Sequence, residues 1–281
     1  MGSSTRQENH TMATQSISSV FQEFLDRVNL KKWDAAKKFL QDAITFNEHH
    51  GSSDEFIGFL SADIEQRKVT QLRIDAVAVH SDGKSLGARQ IIRTVGADGT
   101  QLETWALVLA FFNDDRKISR FYKIDTRPNP RSPVLAKVSP TAPPVSEKQL
   151  SADGLKSAYH TYIQSYNDGA MAVVVPRMMA PELLMNGNPL PREVVVGLFG
   201  KFLLPATAGL KYHIQDMVTD VEKQQVFMRL TLEGVPENKN LQKGDDGKEP
   251  VKINEIATYS FQDGKIAWCW AAPDFDLTPS V

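Results

Sequence analysis

The chain repeats itself. Phe112-Asn-Asp-Asp-Arg-Lys-Ile-Ser-Arg-Phe-Tyr122 is echoed by Phe261-Gln-Asp-Gly-Lys-Ile-Ala-Trp-Cys-Trp270. Each segment reads as a strand, a tight Asp-containing turn and a second strand, and each closes one of two halves of similar length. A self-similar chain is built from copies of one unit, so the repeat constrains the fold more than any single motif does. It also lets one copy be compared with the other. With 281 residues there is material for two domains of ordinary size.

A proline-dense segment separates the halves. Between Arg127 and Leu150 stand Pro128, Pro130, Pro133, Pro140, Pro143 and Pro144, a density that blocks helix and central strand alike and reads as an extended linker. The expected organisation is a polar, disordered tail over 1–12, a first domain over 13–126, the linker over 127–150 and a second domain over 151–281.

Both halves run in the same order. In the first, Val20, Phe21, Phe24, Leu25 and Val28 share one helical face. A short helix follows near Trp33, then a short strand over 43–47, then a helix capped at Ser53-Asp54. Four strands close the half near 71–80, 84–94, 101–112 and 117–126. The second half repeats this with a stripe of Leu155, Ala158, Tyr159, Tyr162, Ile163 and Tyr166, a short strand over 183–186, a helix over 191–202 and strands near 211–219, 225–233, 252–261 and 265–272. The charged, glycine-containing stretch 234–250 reads as a mobile loop. Helices followed by a curved antiparallel sheet make an α+β plan, with each sheet folded over its first helix as a cone.

Composition narrows the function. A net charge of -2 gives no electrostatic reason to expect nucleic acid or an anionic membrane as partner. No apolar run approaches the roughly 18–20 residues that span a bilayer, and residues 1–12 lack the apolar centre of a secretory signal. The single cysteine, Cys269, excludes an internal disulfide and reads as a buried small apolar side chain. A cytoplasmic protein is expected. No histidine or cysteine spacing suits a metal, no glycine-rich phosphate loop follows a strand, and no Gly-x-Ser-x-Gly elbow is present. Neither metal nor cofactor is expected.

The order of elements resembles the NTF2-like superfamily, and the short motifs resemble its SnoaL-like branch of polyketide cyclases and fungal meroterpenoid-type isomerases. The second half carries Asn186-Gly187, Glu255-Ile-Ala-Thr-Tyr259, Asp263-Gly-Lys-Ile266 and Trp270-Ala-Ala-Pro-Asp274. The first half departs from them, with Glu48 after Asn47, Ala106 in the place of Glu255 and a turn longer by one residue. Members of the branch often carry a histidine just before the Asn-Gly; Phe46 and Met185 stand there instead. The resemblance implies two tandem NTF2-like cone domains, a pseudo-dimer within one monomeric chain, and a hydrophobic small molecule as partner.

Glu255 is the leading candidate for chemistry. On a strand it shares a face with Ala257, Tyr259 and Phe261, and a carboxyl on such a face is costly unless paired, solvated by a cavity or protonated. Asp274 is a candidate second acid, and Asn186 could hold a substrate oxygen. Trp268, Trp270, Tyr259 and Tyr212 are candidates for lining the pocket. In the first half His49, His50 and Asp125 are the candidates. The expected function is a cofactor-independent isomerase or cyclase using general acid–base catalysis on a polyketide or terpenoid intermediate. The alternative is a non-catalytic small-molecule-binding or scaffold protein.

Overall fold

The computed structural model describes residues 15–126, 147–244 and 246–274. The polar tail over 1–12 and most of the proline-rich linker lie outside these residues. The chain divides into two units between Asp125 and Thr126.

In the first unit, helix α1 (Ile17–Asn29) and α2 (Trp33–Lys37) lead into the hairpin β1 (Leu40–Phe46) and β2 (His49–Ser52), helix α3 (Ser53–Gln66), and strands β3 (Val69–Val79), β4 (Ser85–Val95), β5 (Gln101–Phe112) and β6 (Ile118–Asp125). In the second, α4 (Ala152–Asn167) and α5 (Met171–Met178) precede the hairpin β7 (Met179–Met185) and β8 (Asn188–Pro191). Helix α6 (Arg192–Leu198), a π turn over Phe199–Leu203 and α7 (Leu204–Ala206) then run on without a break to β9 (Leu210–Asp220), β10 (Gln225–Gly234), β11 (Val251–Gln262) and β12 (Lys265–Pro273). Both units are thus α+β, with the same order of elements in each.

Each sheet has six strands, in the orders β2-β1-β6-β5-β4-β3 and β8-β7-β12-β11-β10-β9. The sheets are mixed rather than wholly antiparallel, because β1 lies parallel to β6 and β7 parallel to β12. The short strands are also longer than their apolar residues suggest, and each folds back as a hairpin. The turns explain this. Asn47-Glu48 and Asn186-Gly187 all have positive φ, the geometry of a two-residue hairpin turn. The cap of α3 is Ser52 rather than Ser53. Its hydroxyl accepts from the Glu55 amide at 3.2 Å while the Glu55 carboxylate accepts from the Ser52 amide at 2.7 Å, a complete capping box.

The core of each unit lies between its long first helix and the concave face of its sheet. Ile17, Phe21, Phe24, Leu25 and Val28 pack on Leu86, Ala88, Ile92, Ala106, Val108 and Ala110. Leu155, Tyr159, Tyr162 and Ile163 pack on Val226, Met228, Leu230, Ala257, Tyr259 and Cys269. Burying one such large apolar side chain contributes about 1.5–3 kcal/mol. Trp105, Leu107 and Leu109 of β5 and Trp268 and Trp270 of β12 are buried as well, but on the other face of their strands.

Candidate functional site

One anchor registers the two units on each other. At the end of α1 the Asn29 side chain donates to the Leu72 carbonyl at 2.8 Å and accepts from the Leu72 amide at 2.7 Å. At the end of α4 Asn167 does the same to Tyr212, both at 2.8 Å. Counting back from these asparagines, Phe21, Phe24 and Val28 correspond to Tyr159, Tyr162 and Tyr166. Across the sheets, Phe121 pairs with Phe46 and Ala110, and Cys269 with Met185 and Tyr259. Ala106 pairs with Gln90 and Asp125, and Glu255 with Leu230 and Pro273. Thus Phe21, Phe24, Val28, Leu72, Ala110 and Ala106 in the first unit become Tyr159, Tyr162, Tyr166, Tyr212, Tyr259 and Glu255 in the second. Five of the chain's six tyrosines lie in this one core, and four of them, Tyr159, Tyr166, Tyr212 and Tyr259, interact electrostatically with Glu255.

The tyrosines form a continuous aromatic wall. Ring centroids lie 5.2 Å apart for Tyr159–Tyr259, Tyr162–Tyr166 and Tyr166–Tyr212, and 5.5 Å for Tyr162–Tyr259. The Tyr166 hydroxyl donates to that of Tyr162 at 2.7 Å, and the Tyr212 hydroxyl to Thr207 Oγ1 at 3.0 Å. Burial pushes all five phenols above their ordinary range, so they remain neutral donors.

Glu255 stands against this wall with no hydrogen bond or ion pair to its carboxyl among the described residues. It keeps partial solvent contact, yet protein surrounds it closely enough that desolvation lifts its carboxyl to about 7. Both facts fit a carboxyl at the open end of this wall, where water reaches it. Along β11, Ala257, Tyr259 and Phe261 are buried, whereas Ile253 and Glu255 are partly exposed. The opening therefore lies toward the start of β11. The loop that reaches it, 235–250, is tied down at its first part, contrary to the expectation of mobility. Glu237 donates its amide to the Ala208 carbonyl at 2.9 Å, Asn238 Nδ2 reaches the Ala206 carbonyl at 3.3 Å, and Leu241 packs on the core.

The first unit carries hydrocarbon at each matching place. Phe121, where the second unit has Cys269, packs on Phe56 at 5.2 Å and on Phe21 at 6.4 Å. At its rim Asp125 pairs with Arg67 and, at 3.2 Å, with Lys123. The matching rim positions in the second unit, Ala271 and Pro273, carry no charge.

The structure brings Glu255, Tyr259 and Tyr212 together and leaves other candidates elsewhere. Asp274 is exposed just beyond β12, with its amide donating to the Asn254 carbonyl at 2.8 Å. No neighbouring carboxylate contributes to the raised pKa of Glu255, whose cause is desolvation. Asn186 is buried, but its Oδ1 accepts from the Ala271 amide at 3.0 Å, and Asn47 accepts likewise from Lys123 at 2.8 Å. Both side chains pin a turn to a strand. Trp268 and Trp270 face away from Cys269 and the chamber. His49 and His50 are exposed on β2, where His50 Nδ1 meets Thr45 Oγ1 at 2.9 Å and His49 rests on Phe46 and Phe59. Cys269 is buried on the chamber side, and burial pushes its thiol up to about 12. Tyr159, Tyr162 and Tyr166 read in the sequence only as a helical stripe. The signal that they line a chamber is the substitution of Phe21, Phe24 and Val28 at matching places.

Among the described residues no group of three or more His, Cys, Asp or Glu is placed to hold a metal ion, and no helix is long and apolar enough to cross a membrane. No family model matches the chain, and no curated protein matches it. Solved structures do. A SnoaL-like polyketide cyclase from Agrobacterium tumefaciens is 20% identical over 41% of this chain and 94% of its own, with a TM-score of 0.35. The epoxide hydrolase/cyclase-like enzyme SalBIII, of pyran ring formation in salinomycin, is 13% identical over 39% of this chain and 90% of its own, with a TM-score of 0.35. An NTF2-like protein of unknown function from Exiguobacterium sp. 255-15 is 17% identical over 38% of this chain and 98% of its own, with a TM-score of 0.33.

Proposed function

We propose that the second unit is a cofactor-independent isomerase or cyclase acting on a hydrophobic, oxygen-bearing secondary metabolite, with Glu255 as its acid–base group. The observation that carries this reading is the unpaired Glu255 carboxyl beside a wall of buried tyrosines, lifted by desolvation to about 7. A carboxyl titrating near the working pH is suited both to remove a proton next to a carbonyl and to return it elsewhere, for a gain of about 10²–10⁴ in rate. The neutral phenols supply hydrogen-bond donors without adding charge, and the aromatic faces suit an apolar ring or chain. The first unit, with hydrocarbon at each matching place, performs no such proton transfer.

The test is Glu255→Gln, assayed by product analysis on a panel of polyketide and terpenoid intermediates. Loss of turnover with ligand still bound supports the reading; unchanged turnover defeats it. The chamber's lack of a second acid, with Asp274 outside it and Met185 in the place of a histidine, favours one rival: a binding protein without catalysis. A wild-type chain that binds a ligand of this class and returns it unchanged would decide for that rival.

A further inference from the structure

Tyr159 is the one phenol of the chamber whose buried hydroxyl has no use within the protein. Its side chain is 0% exposed, and its oxygen has no hydrogen-bond partner. The Tyr259 phenol lies close enough to ease its ionisation slightly, but not in hydrogen-bond geometry. Three other phenols of the wall are engaged: Tyr166 donates to Tyr162, and Tyr212 donates to Thr207. A buried hydroxyl without a partner destabilises the fold, and native proteins seldom keep one without reason. Packing does not supply that reason, because a ring without a hydroxyl, Phe21, fills the matching place in the first unit. The Tyr159 ring lies 5.2 Å from that of Tyr259, and Glu255 shares the face of β11 with Tyr259 four residues away, so the phenol and the acid–base group belong to the same wall.

We propose that the Tyr159 hydroxyl donates a hydrogen bond to a carbonyl or enol oxygen of the ligand, so that the chamber selects molecules carrying such an acceptor next to Glu255. The phenol stays neutral, so what it lacks is an acceptor for its proton. The ligand atom that completes it is therefore an oxygen with a free lone pair, and charge that develops on this oxygen when Glu255 removes a neighbouring proton is met by the same donor. This inference rests on the reading of the chamber given above, but it is separable from it.

The test uses the full chain with two probes that differ in the oxygen alone, 2-acetylnaphthalene and 2-ethylnaphthalene, at a pH below the Glu255 midpoint. Infrared difference spectra of carbonyl-labelled 2-acetylnaphthalene report donation to its oxygen directly. Wild type is expected to prefer the acetyl probe and to lower its carbonyl stretch. Tyr159→Phe is expected to abolish that shift and to weaken the acetyl probe about tenfold. It should leave the ethyl probe unchanged and the thermal midpoint equal or higher, since the lost hydroxyl had no partner. Three results would overturn the proposal: no acetyl preference in wild type, a Tyr159→Phe variant that keeps shift and affinity, or a lowered midpoint with unchanged binding, which would assign the hydroxyl to Tyr259. Should Glu255→Gln leave turnover intact while Tyr159→Phe loses the carbonyl shift, the acid–base reading falls and the donor assignment stands.

Discussion

Phe121 and Cys269 hold the same place in the two sheets, each beside the short parallel strand and opposite the inner face of the long first helix. The exchange of a ring for a thiol removes side-chain volume from the second interior. It falls directly beside Tyr259, where the second unit needs room. The two positions should respond in opposite ways. Phe121→Cys leaves a void among Phe21, Phe56 and Ala110 and is expected to cost about 2–4 kcal/mol in chemical denaturation. Cys269→Phe overfills the chamber. It is expected to cost about 1–3 kcal/mol and to abolish ligand binding measured by calorimetry. A Cys269→Phe chain that binds as wild type does would place the ligand elsewhere.

Glu255 should imprint its pKa on stability. In the unfolded chain its carboxyl titrates near the ordinary 4.5, and in the folded chain at about 7. The folded state therefore holds more protons between these values. Stability from this group is full below about 4.5, falls as pH rises, and is lost above about 7. The span corresponds to as much as about 3 kcal/mol. Urea unfolding at a series of pH values should show the decline in wild type and a flatter profile in Glu255→Gln. In the same window, kcat/KM for the proton-abstraction step should rise with pH along one ionisation, because the charged carboxylate is the base.

Much of this was legible in the sequence. The repeat, the α+β plan and the eight long strands to within a few residues all follow from periodicity and turn residues. The parallel pairs β1–β6 and β7–β12 did not, since a seven-residue strand such as Leu40–Phe46 has only two buried positions and no alternation long enough to declare itself. Helix α5 was hidden by Pro176, tolerated within an eight-residue helix. The exposure of Asp274 was not legible because the motif that contains it is local, whereas exposure is decided by where β12 ends. The tyrosine wall needed the register between copies, which Asn29 and Asn167 supply only once their hydrogen bonds to β3 and β9 are seen.

Asn186 should prove structural. Its side chain holds the Ala271 amide from a buried turn position at φ 48°. Asn186→Ala is expected to lose about 1–3 kcal/mol while the folded fraction keeps its kcat. The first unit offers the converse. Glu48 sits at φ 70° where the second unit has Gly187, so Glu48→Gly should raise stability by about 1 kcal/mol. Paired denaturation curves test both.

The loop beside the chamber mouth hangs on a close backbone crossing. At Gly209 (φ 83°) an added Cβ would lie 2.2 Å from the Val235 carbonyl oxygen, and at Gly234 (φ 146°) 2.4 Å from that of Gly209. Neither neighbour can yield without moving its strand, because both are main chain. Gly209→Ala or Gly234→Ala should therefore release the loop from Ala206 and Ala208, together with the packing of Leu241. The expected result is faster proteolytic cleavage within 235–250, weaker ligand binding, and hydrogen-exchange protection of β12 unchanged. Cleavage at the wild-type rate in both variants would mean that the loop is held by Leu241 and Asn238 alone.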